Sequence, residues 1–171
     1  MHAEFLVLRF IHVVGAIAWV GGGVYFAFFL VPALLSIPAL IPQVMEGLGR
    51  RKAFTVLPTI GLLVVLSGAR LLWIDSAGFS ESYLSTATGR AFSIGGSAGI
   101  LAFIVQVFMQ MPAARRLGRI AAALAGSPTA DERQRLSDEA DRVRRRNNIA
   151  MLTAVSLALI AATAMSIARY V

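Results

Sequence analysis

The chain has 171 residues, of which 57% are hydrophobic and only 15% charged, and its mean hydropathy is +0.73; that composition excludes an ordinary soluble domain. The formal net charge of +7 is carried almost wholly by arginine, a balance that would suggest nucleic acid in a soluble protein but that membrane topology explains here, so no nucleic-acid partner is expected. There is no cysteine, which excludes disulfides, iron–sulfur clusters and thiolate metal sites.

In chain order, four runs are long enough to cross a bilayer: residues 5–30, 53–74, 91–111 and 149–168. Their backbone groups must be paired internally, so each is read as a helix. The expected fold is an all-α integral membrane protein, a single domain over 1–171, built as a four-transmembrane-helix bundle with a cytoplasmic helical extension before the fourth span. The first run is interrupted by Arg9 and His12 and follows no basic segment, so it is taken as a retained helix and not as a signal peptide. Pro32, Pro38 and Pro42 argue for an interfacial connection between the first two spans.

The third connection, 112–148, carries nine arginines against five acids, and the first adds Arg50, Arg51 and Lys52. In a four-span protein these two connections share a side. The positive-inside rule makes that side the cytoplasm and turns both termini outward. Within the third connection, Thr129 with Glu132 has the form of a capping box. Asp131 with Arg135, Asp138 with Arg142 and Asp141 with Arg145 are spaced to form i, i+4 pairs on a solvated helix beginning near Ala130.

His12 is the anomaly of the first span, because an ionisable group at membrane depth is costly and marks a functional site by default. At about 100° per residue, His12, Ala16, Trp19, Gly23 and Phe26 fall on one stripe. Helices two, three and four bring Ser67, Gly68, Arg70 and Trp73, then Ser93, Gly95, Gly96, Ser97 and Gly99, then Thr163, Met165, Ser166 and Arg169 to the same outer half. An imidazole in an apolar slot with arginines toward the rim is what haem b requires: an axial nitrogen, flat walls and cations for two propionates. The expected set is His12 as the iron ligand, Arg9, Trp19, Arg70 and Gly96 around the group, and Met165 as the best-placed second ligand by depth. Against this stands a reading in which small residues only let helices approach, His12 bonds a Ser or Thr on a neighbour, and the arginines reach the headgroups. A strip of Gly15, Ala18 and Gly22 offers a face for a homodimer.

Copper has a weaker basis. Met109 and Met111 supply thioethers, but residues two apart on a helix point about 200° apart. No acidic residue lies inside a span, so neither a paired acid and base nor a Ser-His-Asp triad is expected, and any catalysis would belong to a cofactor. The inner half offers only Gln106, Gln110 and Thr153, too few for a transport path.

The segment LRFIHVVGAIAWVGG, followed by FLVPALL and later by RRKAFTVLPTIGLLVVLSGARLLW, resembles a group of small bacterial membrane proteins, the copper-resistance D-like domains and HemJ-type protoporphyrinogen oxidases. The pattern is His-x6-Trp-x-Gly in the first helix, matched by His12, Trp19 and Gly21, with a looser likeness at Arg146 to Asn148. The resemblance implies a helical bundle in the bacterial inner membrane whose first-helix histidine ligates haem or metal. The resulting expectation is a haem b-binding protein of electron transfer or haem-based redox chemistry, working with quinone or a periplasmic redox partner. The alternatives are a non-catalytic accessory subunit of a larger membrane complex and a component of copper handling or transport.

Overall fold

The computed structural model describes residues 2–171, and all its regular structure among them is helical. Four helices are long and apolar enough to span a membrane: α1 (His2–Ser36), α3 (Ala53–Asp75), α5 (Ala87–Ala125) and α6 (Ala130–Ile167). Two short helices complete the set, α2 (Ile41–Arg50) between the first two spans and α4 (Glu81–Leu84) before the third. The spans point most of their large side chains outward, as Leu6, Phe10, Ile17, Leu66, Ile94 and Phe108 illustrate, each more than half exposed. That surface is matched to hydrocarbon and not to water.

Two of the spans run further than their prolines suggest. Pro32 and Pro112 lack an N–H and press on the carbonyl one turn earlier, which ordinarily ends or kinks a helix. Here each proline follows one wide π turn, Phe26–Leu30 in α1 and Gln106–Gln110 in α5, in which the Val31 N–H donates to the Phe26 carbonyl and the Met111 N–H to the Gln106 carbonyl. The extra residue in the turn makes room for the ring, and the helix continues. The expected break at Pro32 therefore lies at Ile37, and the expected loop 112–148 is a helical hairpin: α5 carries on to Ala125 and α6 starts at Ala130. Both π turns sit in the same local sequence, Phe28-x-x-x-Pro32-Ala33 and Phe108-x-x-x-Pro112-Ala113. The device thus occurs once in each half of the chain.

The start of α6 matches its signature: the Thr129 hydroxyl accepts from the Glu132 N–H while the Glu132 carboxylate accepts from the Thr129 N–H. The i, i+4 pairs expected beyond it are replaced by other partners. Arg144 pairs with Asp141 at 2.9 Å, Arg142 Nε donates to the Asp138 backbone carbonyl at 3.2 Å, and Arg116 of α5 reaches Glu139 at 2.7 Å. The last bond ties the two arms of the hairpin together, beside the buried Ile120 and Ala140.

α1 packs on α3 and α5 on α6, and the two pairs join through α3 against α5 and α1 against α6. Four corners result, with Trp19, Val64, Ala102 and Ala158 at the centre. Glycine sets the α1–α3 approach: a Cβ on Gly15 would stand 2.8 Å from Val64 Cγ2, and one on Gly22 3.1 Å from Leu57 Cδ1. The strip read as a dimer face is therefore largely occupied by α3 of the same chain. At the end that carries the termini, fully buried Ser76 organises a tight loop by accepting the Phe79 N–H at 2.8 Å, with Ala77, Gly78 and Phe79 all at left-handed φ.

Candidate functional site

His12 lies on the bundle-facing stripe of α1, and α3 is shaped to receive it. Its Nδ1 is 2.9 Å from the Val64 carbonyl oxygen. A carbonyl only accepts, so Nδ1 carries the proton and Nε2 keeps its lone pair. The Ser67 hydroxyl stands 3.5 Å from the same nitrogen and gives its own hydrogen to the Leu63 carbonyl at 2.6 Å. The imidazole rests on bare backbone, since a Cβ on Gly68 would come 2.6 Å from His12 Cε1. Val64 carbonyl, Ser67 and Gly68 together fix tautomer and ring plane. Among the described residues no protein group hydrogen-bonds Nε2, and that atom is not sealed inside the chain. A ring nitrogen held by a backbone carbonyl with its opposite nitrogen free is the arrangement of a metal-ligating histidine.

Besides its contact with α3, α1 also meets α6. The two helices touch where Gly23 meets Val155, a Cβ there standing 3.6 Å from Val155 Cγ2, and in the cluster of Ala27, Met151 and Val155 beside it. Trp19 and Ala158 are the next contact toward the termini. Beyond them the facing positions are open: Arg9 on α1 and Ala162, Ser166 and Arg169 on α6 are all exposed. Counting from the Gly23–Val155 contact, Ala16 and Ala162 lie seven residues along, His12 and Ser166 eleven, and Arg9 and Arg169 fourteen. At about 1.5 Å per residue the members of each pair share a level, about 10, 16 and 21 Å above that contact. Along this seam the core closes at Trp19 and Ala158, and His12 and Ser166 lie at one level nearer the termini.

The expected site residues divide on these contacts. Arg9 stands one turn above His12 with no ion-pair partner among the described residues. Arg70 donates through Nε and Nη2 to Glu4 at 3.0 and 2.8 Å and so clamps α3 to the start of α1. Trp19 is 7% exposed, donates to Gln106 Oε1 at 2.8 Å and meets Phe103 edge-on at 6.3 Å. It is thereby part of the central core. Gly61 makes room for it, since a Cβ there would lie 2.8 Å from the indole. Met165 leans on α5, its Cγ 2.9 Å from where a Cβ on Gly95 would stand. Gly96 meets nothing within 4 Å of such a Cβ, and no contact joins it to His12. The Val64 carbonyl and the Trp19–Gln106 bond were not foreseen, because both depend on helix register, which no single segment encodes.

The electrostatics at this end extend to Tyr83, whose hydroxyl pKa is pushed up by burial and by the charge of Asp75, against a smaller lowering by Arg169. The deeper polar groups are structural. Gln110 approaches the Ala150 carbonyl at 3.5 Å, Thr153 is exposed, and buried Asn147 Oδ1 has no partner among the described residues. No group of three or more His, Asp or Glu side chains is placed to hold a metal ion among the described residues, and Met109 is 46% exposed. Comparison with family models, with curated proteins and with solved structures returns no match.

Proposed function

We propose that the chain is a haem b-binding membrane protein of electron transfer or haem-based redox chemistry, with His12 Nε2 as the axial ligand. One observation carries this reading: Nδ1 is pinned as a donor to the Val64 carbonyl, so Nε2, with no protein hydrogen-bond partner among the described residues, keeps the lone pair a metal ligand needs. Arg9, without a carboxylate partner among the described residues, stands about one turn above His12, where a propionate would need a cation. When bound, the haem supplies one-electron chemistry that no side chain here provides. The chain's own residues orient the ligand nitrogen through the Val64 carbonyl and the bare Gly68 backbone; the electron partner in this reading is a quinone or a periplasmic redox protein. With the arginine-rich hairpin on the cytoplasmic side, His12 lies in the outer half of the membrane.

The test is the absorption spectrum of the full chain, purified in detergent, oxidised and reduced. Wild type is expected to show a Soret band and sharpened visible bands on reduction, and His12→Ala to lose them while keeping its helical circular dichroism. A colourless wild type expressed with haem supply in excess overturns the proposal. The exposed apolar faces of the spans also suit a second reading, an accessory subunit that packs against helices of another chain; it predicts a colourless protein that co-purifies with a stoichiometric partner.

A further inference from the structure

We propose that α6 is the contact helix of a symmetric homodimer, two copies of the chain meeting in parallel along the row Ile149, Thr153, Ser156, Ile160, Thr163 and Ile167. These residues are spaced alternately four and three apart, the period of left-handed helix pairing. At about 100° per residue they form one stripe about 80° wide. It lies on the side of α6 away from Ala150, Ala154, Ala158 and Ala161, which are buried against the rest of the bundle, and all six of its members are exposed, Ile149 by 62%. Three of the six are hydroxyls turned toward hydrocarbon. Elsewhere in the spans Thr59, Ser67 and Ser93 donate to the carbonyl four residues back at 2.8, 2.6 and 2.8 Å. The Thr153, Ser156 and Thr163 hydroxyls bond nothing in the chain among the described residues, and hydrocarbon offers them no partner.

The row matches a second copy of itself. A hydroxyl donates and accepts at once, so each of the three can bond its own image across a two-fold axis along the membrane normal. Shared orientation in the bilayer makes the two α6 helices parallel and in register. A strict seven-residue repeat drifts by about 20° per heptad on a straight helix, and left-handed supercoiling takes up the drift. The same period runs on into the hairpin as Glu132, Arg135, Glu139 and Arg142, alternating in sign. In a parallel pair, Arg135 of one copy therefore lies between Glu132 and Glu139 of the second copy. These groups have capacity to spare: Glu132 uses only Oε2 and Glu139 only Oε1 within the chain, and Arg135 has no ion-pair partner among the described residues. Arg146 alone meets its own kind, at the level of the headgroup phosphates. On α1, by contrast, the strip at Gly15 and Gly22 is filled by Val64 and Leu57 of the same chain.

The chain has no cysteine, so single cysteines introduced into the full chain report the contact in oxidised membranes. Cysteines at Thr153, Ser156, Ile160 and Thr163 are expected to give disulfide-linked dimers several-fold faster than cysteines at Ala162, on another face of α6, or at Phe108 on α5, both of them exposed. With Ile160→Cys as the reporter, Thr153→Val, Ser156→Ala and Thr163→Val combined should cut the dimer yield several-fold at unchanged helical circular dichroism. Arg135→Glu, which lines up three acids, should also lower the yield, and salt should reduce that loss. Equal rates at all positions, dimers linked only through Ala162 or Phe108, or row cysteines joined to a different chain each overturn the proposal. So does a reporter yield that the triple variant leaves unchanged.

Discussion

Residue by residue, His12 stands out in the sequence because an imidazole inside an apolar run is costly, but what holds it could not be read there. Its partner is a backbone carbonyl, and every residue has one; only the register of α3 against α1 selects Val64. The same holds for Trp19 on the His12 stripe, whose indole N–H finds Gln106 on the opposite corner of the bundle. Arg70, expected beside the group, is bound to Glu4, an acid 66 positions away in the chain. Gly68 gives the most direct check on the histidine. In Gly68→Ala the new methyl would meet the imidazole, so the ring must swing and lose the Val64 bond, a cost of about 1 kcal/mol for one hydrogen bond. The expected result is a lower thermal midpoint and a weaker Soret band per chain. Gly96→Ala, where a Cβ meets open space, should leave both unchanged apart from a small helical gain.

At the scale of the element, apolar length fixed the four spans and a short polar signature fixed the start of α6 at Thr129. Prolines misled because the rule that they end helices assumes an i→i+4 ladder. A single π turn before Pro32 and Pro112 lets α1 and α5 run on, and nothing in the local composition distinguishes this outcome from a break. The capping box also has a pH consequence. Hydrogen bonds from the Thr129 backbone and hydroxyl hold the Glu132 carboxyl below its ordinary 4.5. A depressed folded value means that this contribution is fully present above the ordinary carboxyl range and fades as pH falls through the depressed one. Thr129→Ala should therefore lower the stability of the hairpin end at neutral pH and flatten its acid-side loss. Circular dichroism melts of wild type and variant over pH 3 to 7 measure both effects; parallel pH profiles would show that the box contributes nothing.

For the molecule as a whole, the two halves share a plan: a long span with a π turn and proline, then a returning span. They differ in how they use the space at the end near the termini. In the second half that space is filled, with Gly95 against Met165 and Ala161 and with Ala168 completely buried. In the first half the corresponding place beside α1 holds an imidazole, and Ala162 and Ser166 of α6 are exposed at and just below its level. A haem on His12 needs α1 and α6 apart there, and the absence of native cysteine makes that separation directly measurable. Paired cysteines at Gly23 and Val155 should form a disulfide readily under mild oxidation in membranes, because a Cβ at Gly23 already lies at van der Waals distance from the Val155 side chain. Cysteines at Ala16 and Ala162, two turns nearer the termini and level with each other, should stay reduced and react only with a cross-linker long enough to span that separation. Haem loading or a seated partner helix should slow that longer cross-link by several-fold and leave the Gly23–Val155 disulfide untouched. Rapid disulfide formation at both levels would mean that α1 and α6 close along their whole length in the bilayer, leaving His12 Nε2 facing a wall of alanine with no room for a ligand.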